Sequence, residues 1–192
     1  RTGPAGARMG RRTLTRWEAS PLFAWKSENR AMGRRALRKI DPGIDLSYHL
    51  RTFEQIPQPW SSEQFFGRAG AVEVEVGSGK GLFLRSAAAA NPEINYLGIE
   101  VAQKYARFAA AGLAKRELAN AVVVAGDGVR VFAERLPDKA ARAVHVYFPD
   151  PWWKKRHQRR RVMRESFVRD IERVLEPGGT LQFWTDVEEY FH

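Results

Sequence analysis

The chain contains no cysteine among its 192 residues, which excludes disulfides and thiolate metal sites and removes cysteine from the possible nucleophiles. Long apolar runs are missing as well. The Ala87–Ala90 run and the valine-rich segments are short and interrupted by polar residues, whereas a membrane span needs roughly 18 apolar residues in succession. A soluble protein is therefore expected, with no secretory signal visible. What is present suffices for one sizeable core: 44% of the residues are hydrophobic, and the length fits a single domain with a short appendage.

The formal net charge of +10 is unevenly distributed. Residues 1–40 contribute +9 and residues 154–161 contribute +6, so the remainder of the chain sums to −5. A mildly acidic body with two concentrated basic segments points to a polyanion gripped at defined places by phosphate contacts. The competing reading is a solvated basic tail plus a solvated helix face.

Residues 1–31 are rich in Arg, Gly and Pro and lack hydrophobic periodicity; they are expected to form a basic, disordered extension, with Met32 as the natural start. Residues 32–70 form a more compact segment on the substrate side. From Ala71 strand and helix patterns alternate: strand Val72–Val76, helix Leu82–Ala90, strand Tyr96–Ile99, helix Ala102–Glu117, strand Val122–Ala125, helix Val129–Arg135, strand Ala143–Phe148, helix Val162–Leu175, the turn Pro177-Gly178-Gly179 and strand Thr180–Trp184. Five strands separated by helices predict a Rossmann-like, doubly wound α/β fold with a mostly parallel sheet, whose ligands bind at the carboxyl ends of the strands. Gly77–Gly81, Glu100, Asp127, Asp150 and Asp186 each follow one strand, and so share that rim.

Glu75-Val76-Gly77-Ser78-Gly79-Lys80-Gly81 follows the first of these strands and opens a helix, where glycines allow a tight turn and close approach of a ligand to backbone N–H groups. A Walker phosphate loop is rejected, because Val74 and Gly81 stand where Gly and Ser/Thr are required. Leu82 weakens the dinucleotide G-x-G-x-x-G reading. Glu100, about twenty residues further on, suits the two ribose hydroxyls of an adenosine. Asp127 is placed either to accept from an adenine amino group or simply to cap the next helix.

The strand-four loop, Phe148-Pro149-Asp150-Pro151-Trp152-Trp153, is stiffened by prolines that hold Asp150 beside two indoles. Lys154-Lys155-Arg156-His157-Gln158-Arg159-Arg160-Arg161 follows directly, and aromatic next to basic is the combination that stacks a base while neutralising its backbone. Phe-Pro-Asp-Pro-Trp-x-Lys-x-Arg-His with this Arg-rich continuation resembles the bacterial tRNA (guanine-N7)-methyltransferase family, and the likeness extends over the glycine loop, Asn91-Pro92, Gly98-Ile99-Glu100-Val101, Asp127, Leu175–Gly179 and Thr185-Asp186. The resemblance implies a class I methyltransferase domain over residues 71–192 that uses S-adenosylmethionine as methyl donor, without a metal, on N7 of the guanine at tRNA position 46, in the cytoplasm. It implies that Glu75, Gly77, Gly79, Glu100, Asp127 and Asp150 contact the cofactor, that Asp150 is catalytic, and that Lys154, Arg156, His157 and Asp186 contact tRNA.

Guanine N7 carries a free lone pair, so positioning it against the methyl group is expected to dominate catalysis. Asp150 can stabilise the charge that moves onto the purine or hold the guanine edge. Two departures from the family pattern stand out. The chain ends at His192, short of two further strands and of a Thr-x-x-Glu substrate motif, so the domain is expected to be truncated at its C-terminus; and Ser78 replaces an aromatic. An adenine amino-methyltransferase and a tRNA-binding domain without catalysis remain alternatives, and the sequence does not choose between monomer and homodimer.

Overall fold

The alternation Val72-Glu73-Val74-Glu75-Val76 has the period of a strand with one face in water, yet all five residues are buried. The reason is the strand's position. In the computed structural model, which describes residues 37–150 and 161–186, this strand lies inside a six-stranded sheet with parallel neighbours on both sides. The strands are β1 (Leu50–Thr52), β2 (Val72–Val76), β3 (Asn95–Glu100), β4 (Ala121–Ala125), β5 (Ala141–Tyr147) and β6 (Leu175–Trp184). Their spatial order is β1-β4-β3-β2-β5-β6, and every pairing is parallel. Parallel strands require crossovers, and the helices that provide them cover both faces: α1 (Ser62–Phe66), α2 (Leu82–Ala90), α3 (Gln103–Ala114), α4 (Gly128–Glu134) and α5 (Glu165–Val174).

Two cores result. Val72, Val74 and Val76 belong to the larger one, which also holds Phe132 of α4, Phe167 and Ile171 of α5, and Phe53, Ile56, Phe65 and Phe66 from the segment that precedes β2. Phe132 and Phe167 meet edge to face at 5.1 Å. Arg173 then ties α5 to α4 by donating to the carbonyls of Phe132 and Leu136 at 2.6 and 2.9 Å. The second core joins Leu84 and Ala88 of α2 to Ala106, Ala109 and Leu113 of α3. Gly81, with φ of +68°, begins α2 where a Cβ would stand 2.7 Å from the Cβ of Ala109, so the two helices approach more closely than any side chain there would allow.

The expected α/β, doubly wound architecture is thus the observed one. β2 and α2 have the bounds read from the sequence; other elements differ. β1 was not anticipated, because three residues carry no periodicity. It pairs with β4 (Leu50↔Val123), anchored by Tyr48, whose hydroxyl sits between the carbonyls of Phe66 and Ala119. The expected Pro177-Gly178-Gly179 turn lies inside β6. Leu175 pairs with Ala141 and Thr180 with Ala143, so the residues between them bulge out of the ladder, with Gly178 at φ +86°. α3 ends at Ala114, three residues early, and Glu117 takes a left-handed φ of +53°.

Asn120, 3% exposed, has its Nδ2 within 2.9–3.1 Å of the carbonyls of Ala88, Asn91 and Ile94, which share its two N–H groups. It thereby fastens the end of α2 to the start of β4. Replacing it with alanine leaves buried carbonyls unmatched, and Asn120→Ala should cost about 1–3 kcal/mol of stability, read as a lower urea midpoint with an unchanged m-value. An unchanged midpoint would show that these carbonyls find other donors.

Candidate active site

Because all six strands run the same way, their carboxyl ends share one rim, and the chain's path places the crevice on it. From β2 the chain winds outward through β3 and β4, then returns to add β5 and β6 on the other side. The gap between the crossovers therefore opens at the ends of β2 and β5. An independent feature marks the same rim. Among the described residues, five large apolar side chains stand exposed, and four of them are at this rim: Leu82 after the glycine turn, Val101 after β3, Phe148 after β5 and Trp184 at the end of β6. Apolar groups gathered around a polar turn are characteristic of a ligand site.

The turn is held by backbone. Gly77 and Ser78 N–H both donate to the Ile99 carbonyl at 2.8 and 3.1 Å, and Gly81 N–H donates to Ser78 O at 2.7 Å. Gly77, Gly79 and Gly81 all have positive φ, and at Gly77 a Cβ would meet nothing within 4 Å, so the backbone presents an open face. Glu100 completes the arrangement: its Oε2 accepts from Gly79 N–H at 2.7 Å and its Oε1 from Ala102 N–H at 2.8 Å. The carboxylate expected to receive ribose hydroxyls thus also organises the turn, and each oxygen keeps a lone-pair direction for a ligand.

Glu75 differs from its neighbours. It is 4% exposed, and its Oε2 has no hydrogen-bond partner. Burial pushes its carboxyl up to about 8, the Glu100 charge adds to the rise, and a hydrogen bond from Ser78 opposes it. A buried acceptor beneath a glycine turn suits a ligand that brings a cationic donor.

Asp127 caps α4: its Oδ1 accepts from Val129 N–H at 2.9 Å while the residue stays exposed, so the capping reading holds and the second oxygen remains on the rim. Asp150 and Asp186 are exposed at the ends of β5 and β6. Lys154, Arg156 and His157, with Trp152 and Trp153, lie outside the described residues.

A cluster beneath the rim was not anticipated. Glu73 Oε2 accepts from His145 Nε2 at 2.9 Å, Glu73 Oε1 pairs with Arg142 at 3.2 Å, and His145 Nδ1 lies 2.9 Å from the Tyr147 hydroxyl. Phe83 packs on both rings, with centroids at 4.5 and 5.1 Å. Burial drives the Tyr147 hydroxyl well above its usual range, and the Glu75 and Glu73 charges add to this, so it remains protonated as a donor. The only sequence signal for the cluster was the pair of acidic residues in β2.

The family model described as "Putative methyltransferase" matches residues 69–192. A tRNA (guanine-N(7)-)-methyltransferase of Rhodopirellula baltica is 51% identical over 165 residues, covering 83% of this chain and 61% of that protein. Proteins of the same description from Legionella pneumophila and Ralstonia pickettii are each 38% identical, covering 77% and 83% of this chain and 67% and 60% of their own lengths. The chain thus spans about three fifths to two thirds of these curated relatives.

The pH response of Glu75 is a direct check on the site. Its folded carboxyl binds a proton that the unfolded chain releases near its ordinary value of 4.5, so the stability it contributes is complete below that pH and is lost as pH rises to about 8. Glu75→Gln should remove this loss, giving a flatter Tm profile between pH 4.5 and 8 and a Tm above the parent's at pH 8.5. Parallel profiles would mean that Glu75 is ionised at no cost.

Proposed function

This chain belongs to the tRNA (guanine-N7)-methyltransferase family, and from that membership we propose that the protein methylates N7 of a guanine in tRNA, at position 46, with S-adenosylmethionine as donor. The observation that carries the proposal is the meeting of two strand ends. β2 and β5 pair as far as Val76↔Val146, so the glycine turn above Glu75 stands beside Phe148-Pro149-Asp150. One end suits a cofactor and the other a base.

The residues present fit the cofactor. The unpartnered Glu75 Oε2 matches its amino group, and the open backbone at Gly77 and Gly79 admits the methionine portion. Glu100 would take the ribose hydroxyls with its remaining lone pairs, Asp127 the adenine amino group with its free oxygen, and Val101 and Leu82 the apolar faces of the adenosine. When bound, S-adenosylmethionine supplies an electrophilic methyl group: the N7–C bond forms as the C–S bond breaks, sulfur keeps the electron pair, and the positive charge passes to the purine.

No proton has to be removed from the base, so the protein's work is alignment and charge placement. Asp150, exposed at the rim, is assigned the role of accepting from the guanine edge and stabilising the cationic purine. Lys154, Arg156, His157 and Asp186 are assigned to tRNA, a partner that the +6 contributed by residues 154–161 supports.

The test is transfer of a labelled methyl group to unmodified tRNA by the full-length protein, with a tRNA whose guanine 46 is replaced as the control. Label should enter only the first, and the product should break at that position after reduction and aniline treatment. Equal labelling of both tRNAs would overturn the position, and aniline-resistant label the atom. Asp150→Ala should lower the single-turnover rate at saturating cofactor about a hundredfold or more; an unchanged rate would remove Asp150 from the reaction.

A further inference from the structure

The first turns of α3 carry charge that the fold leaves unmatched. From Gln103 to Arg116 the chain has four basic residues and no acidic one. Lys104 and Arg107 are both exposed and stand one turn apart on the same face. Neighbouring cations repel each other, and near the start of a helix they also oppose its dipole. The other helices are built differently: Arg130 of α4 is paired with Glu134, and Arg169 and Arg173 of α5 with Glu165 and Asp170. Among the described residues neither Lys104 nor Arg107 has an acidic partner, and the Lys104 ammonium lies 5.1 Å from the centroid of the Tyr105 ring.

These two side chains and Arg38 border a hollow of about 340 Å³ whose floor is Leu37, Ile40 and Phe108. Arg38 is exposed and also without an acidic partner among the described residues, while the three apolar residues are half-buried. Three cations around an apolar floor attract an anion more strongly than the same charges spread over open surface. The complement must come from another molecule, since residues 1–36 carry the same sign, with nine basic residues against two acidic. Position adds to charge. α3 starts at the carboxyl end of β3, and β2 separates that end from β5, which Asp150 follows. The hollow therefore flanks the crevice on the side away from Asp150.

We propose that this hollow is a second seat for the tRNA, in which Arg38, Lys104 and Arg107 take phosphates of one strand and the apolar floor takes a ribose or base. The identity of the ligand rests on the function proposed above. Phosphates supply the negative charge that the three cations lack, and their neutralisation releases the counterions condensed on the RNA. Contacts of this kind carry no sequence information; they fix register and orientation. That is what the reaction requires of them. N7 must be brought into line with the methyl group, and an RNA held on the β3 side as well as beside Asp150 is fixed at two points across the crevice, so that it cannot pivot about its target base.

Arg38→Ala, Lys104→Ala and Arg107→Ala, singly and together, test this in the full-length protein, with Lys115→Ala as a control cation on the same segment but outside the hollow. Affinity for unmodified tRNA is measured over a series of salt concentrations, alongside methyl transfer, cofactor affinity and Tm. Each single variant should weaken tRNA binding about three- to tenfold and lower the slope of log Kd against log salt by about 0.7–0.9. The triple variant should lower that slope by about two to three. Arg107→Lys and Lys115→Ala should leave it near the parental value. Cofactor affinity should be kept, and Tm should be unchanged or slightly raised as the repulsion within α3 is relieved. Parental slopes in all three alanine variants would overturn the seat while the activity stands. A Lys115→Ala effect as large as theirs would also overturn it, as diffuse attraction without a site. A parent protein that binds no tRNA overturns the functional reading, and the seat with it.

Discussion

Parallel pairing of β2 on both of its edges is the constraint from which the site follows. A strand flanked in this way is buried on both faces, so its two carboxylates cannot reach water, and each must be matched within the protein or left for a ligand. Glu73 is matched by Arg142 and His145. Glu75, one pleat closer to the rim, has an oxygen with no partner. The same topology that buries these groups aligns all the strand ends, so the unmatched carboxylate, the glycine turn and the β5 loop come to one place without any loop having to travel.

Glu100 joins the local structure to that place. By dividing its two oxygens between the N–H groups of Gly79 and Ala102, it couples the shape of the glycine turn to the start of α3. A ligand that engages this carboxylate therefore meets a group already held by backbone, whose preorganisation reduces the ordering cost of binding. Asp127 is built on similar lines, with one oxygen engaged by its helix and the other at the surface.

How much of this was legible in the sequence depended on whether the determining contacts were local. β2 and α2 were readable to the residue because glycines and a proline punctuate them, and the succession of strands and helices was enough to specify a parallel sheet. β1 was not readable: three residues, Leu50–Thr52, become a strand only because β4 offers its edge, seventy-odd residues away in sequence. The Glu73–His145 pair spans 72 residues, a separation at which no spacing rule operates. The Pro177-Gly178-Gly179 signal was real, but tertiary pairing on both sides absorbed it as a bulge. Glu75, Glu100 and Asp127 could be singled out as candidates by type and position, whereas which of their oxygens were already engaged depended on three-dimensional geometry.

The contact between Gly81 and Ala109 has a consequence for how such a protein can change. The turn that would cradle a ligand and α3 occupy the same small volume, since a methyl group at position 81 would overlap the one already at 109. The two positions therefore hold a fixed allowance of atoms between them. Any enlargement on one side must be met by a reduction on the other or by displacement of α3, and with α3 the Ala102 N–H that helps to hold Glu100. Substitutions at 81 and 109 are thus coupled, and the shape of the ligand turn is set in part by a residue in the middle of α3.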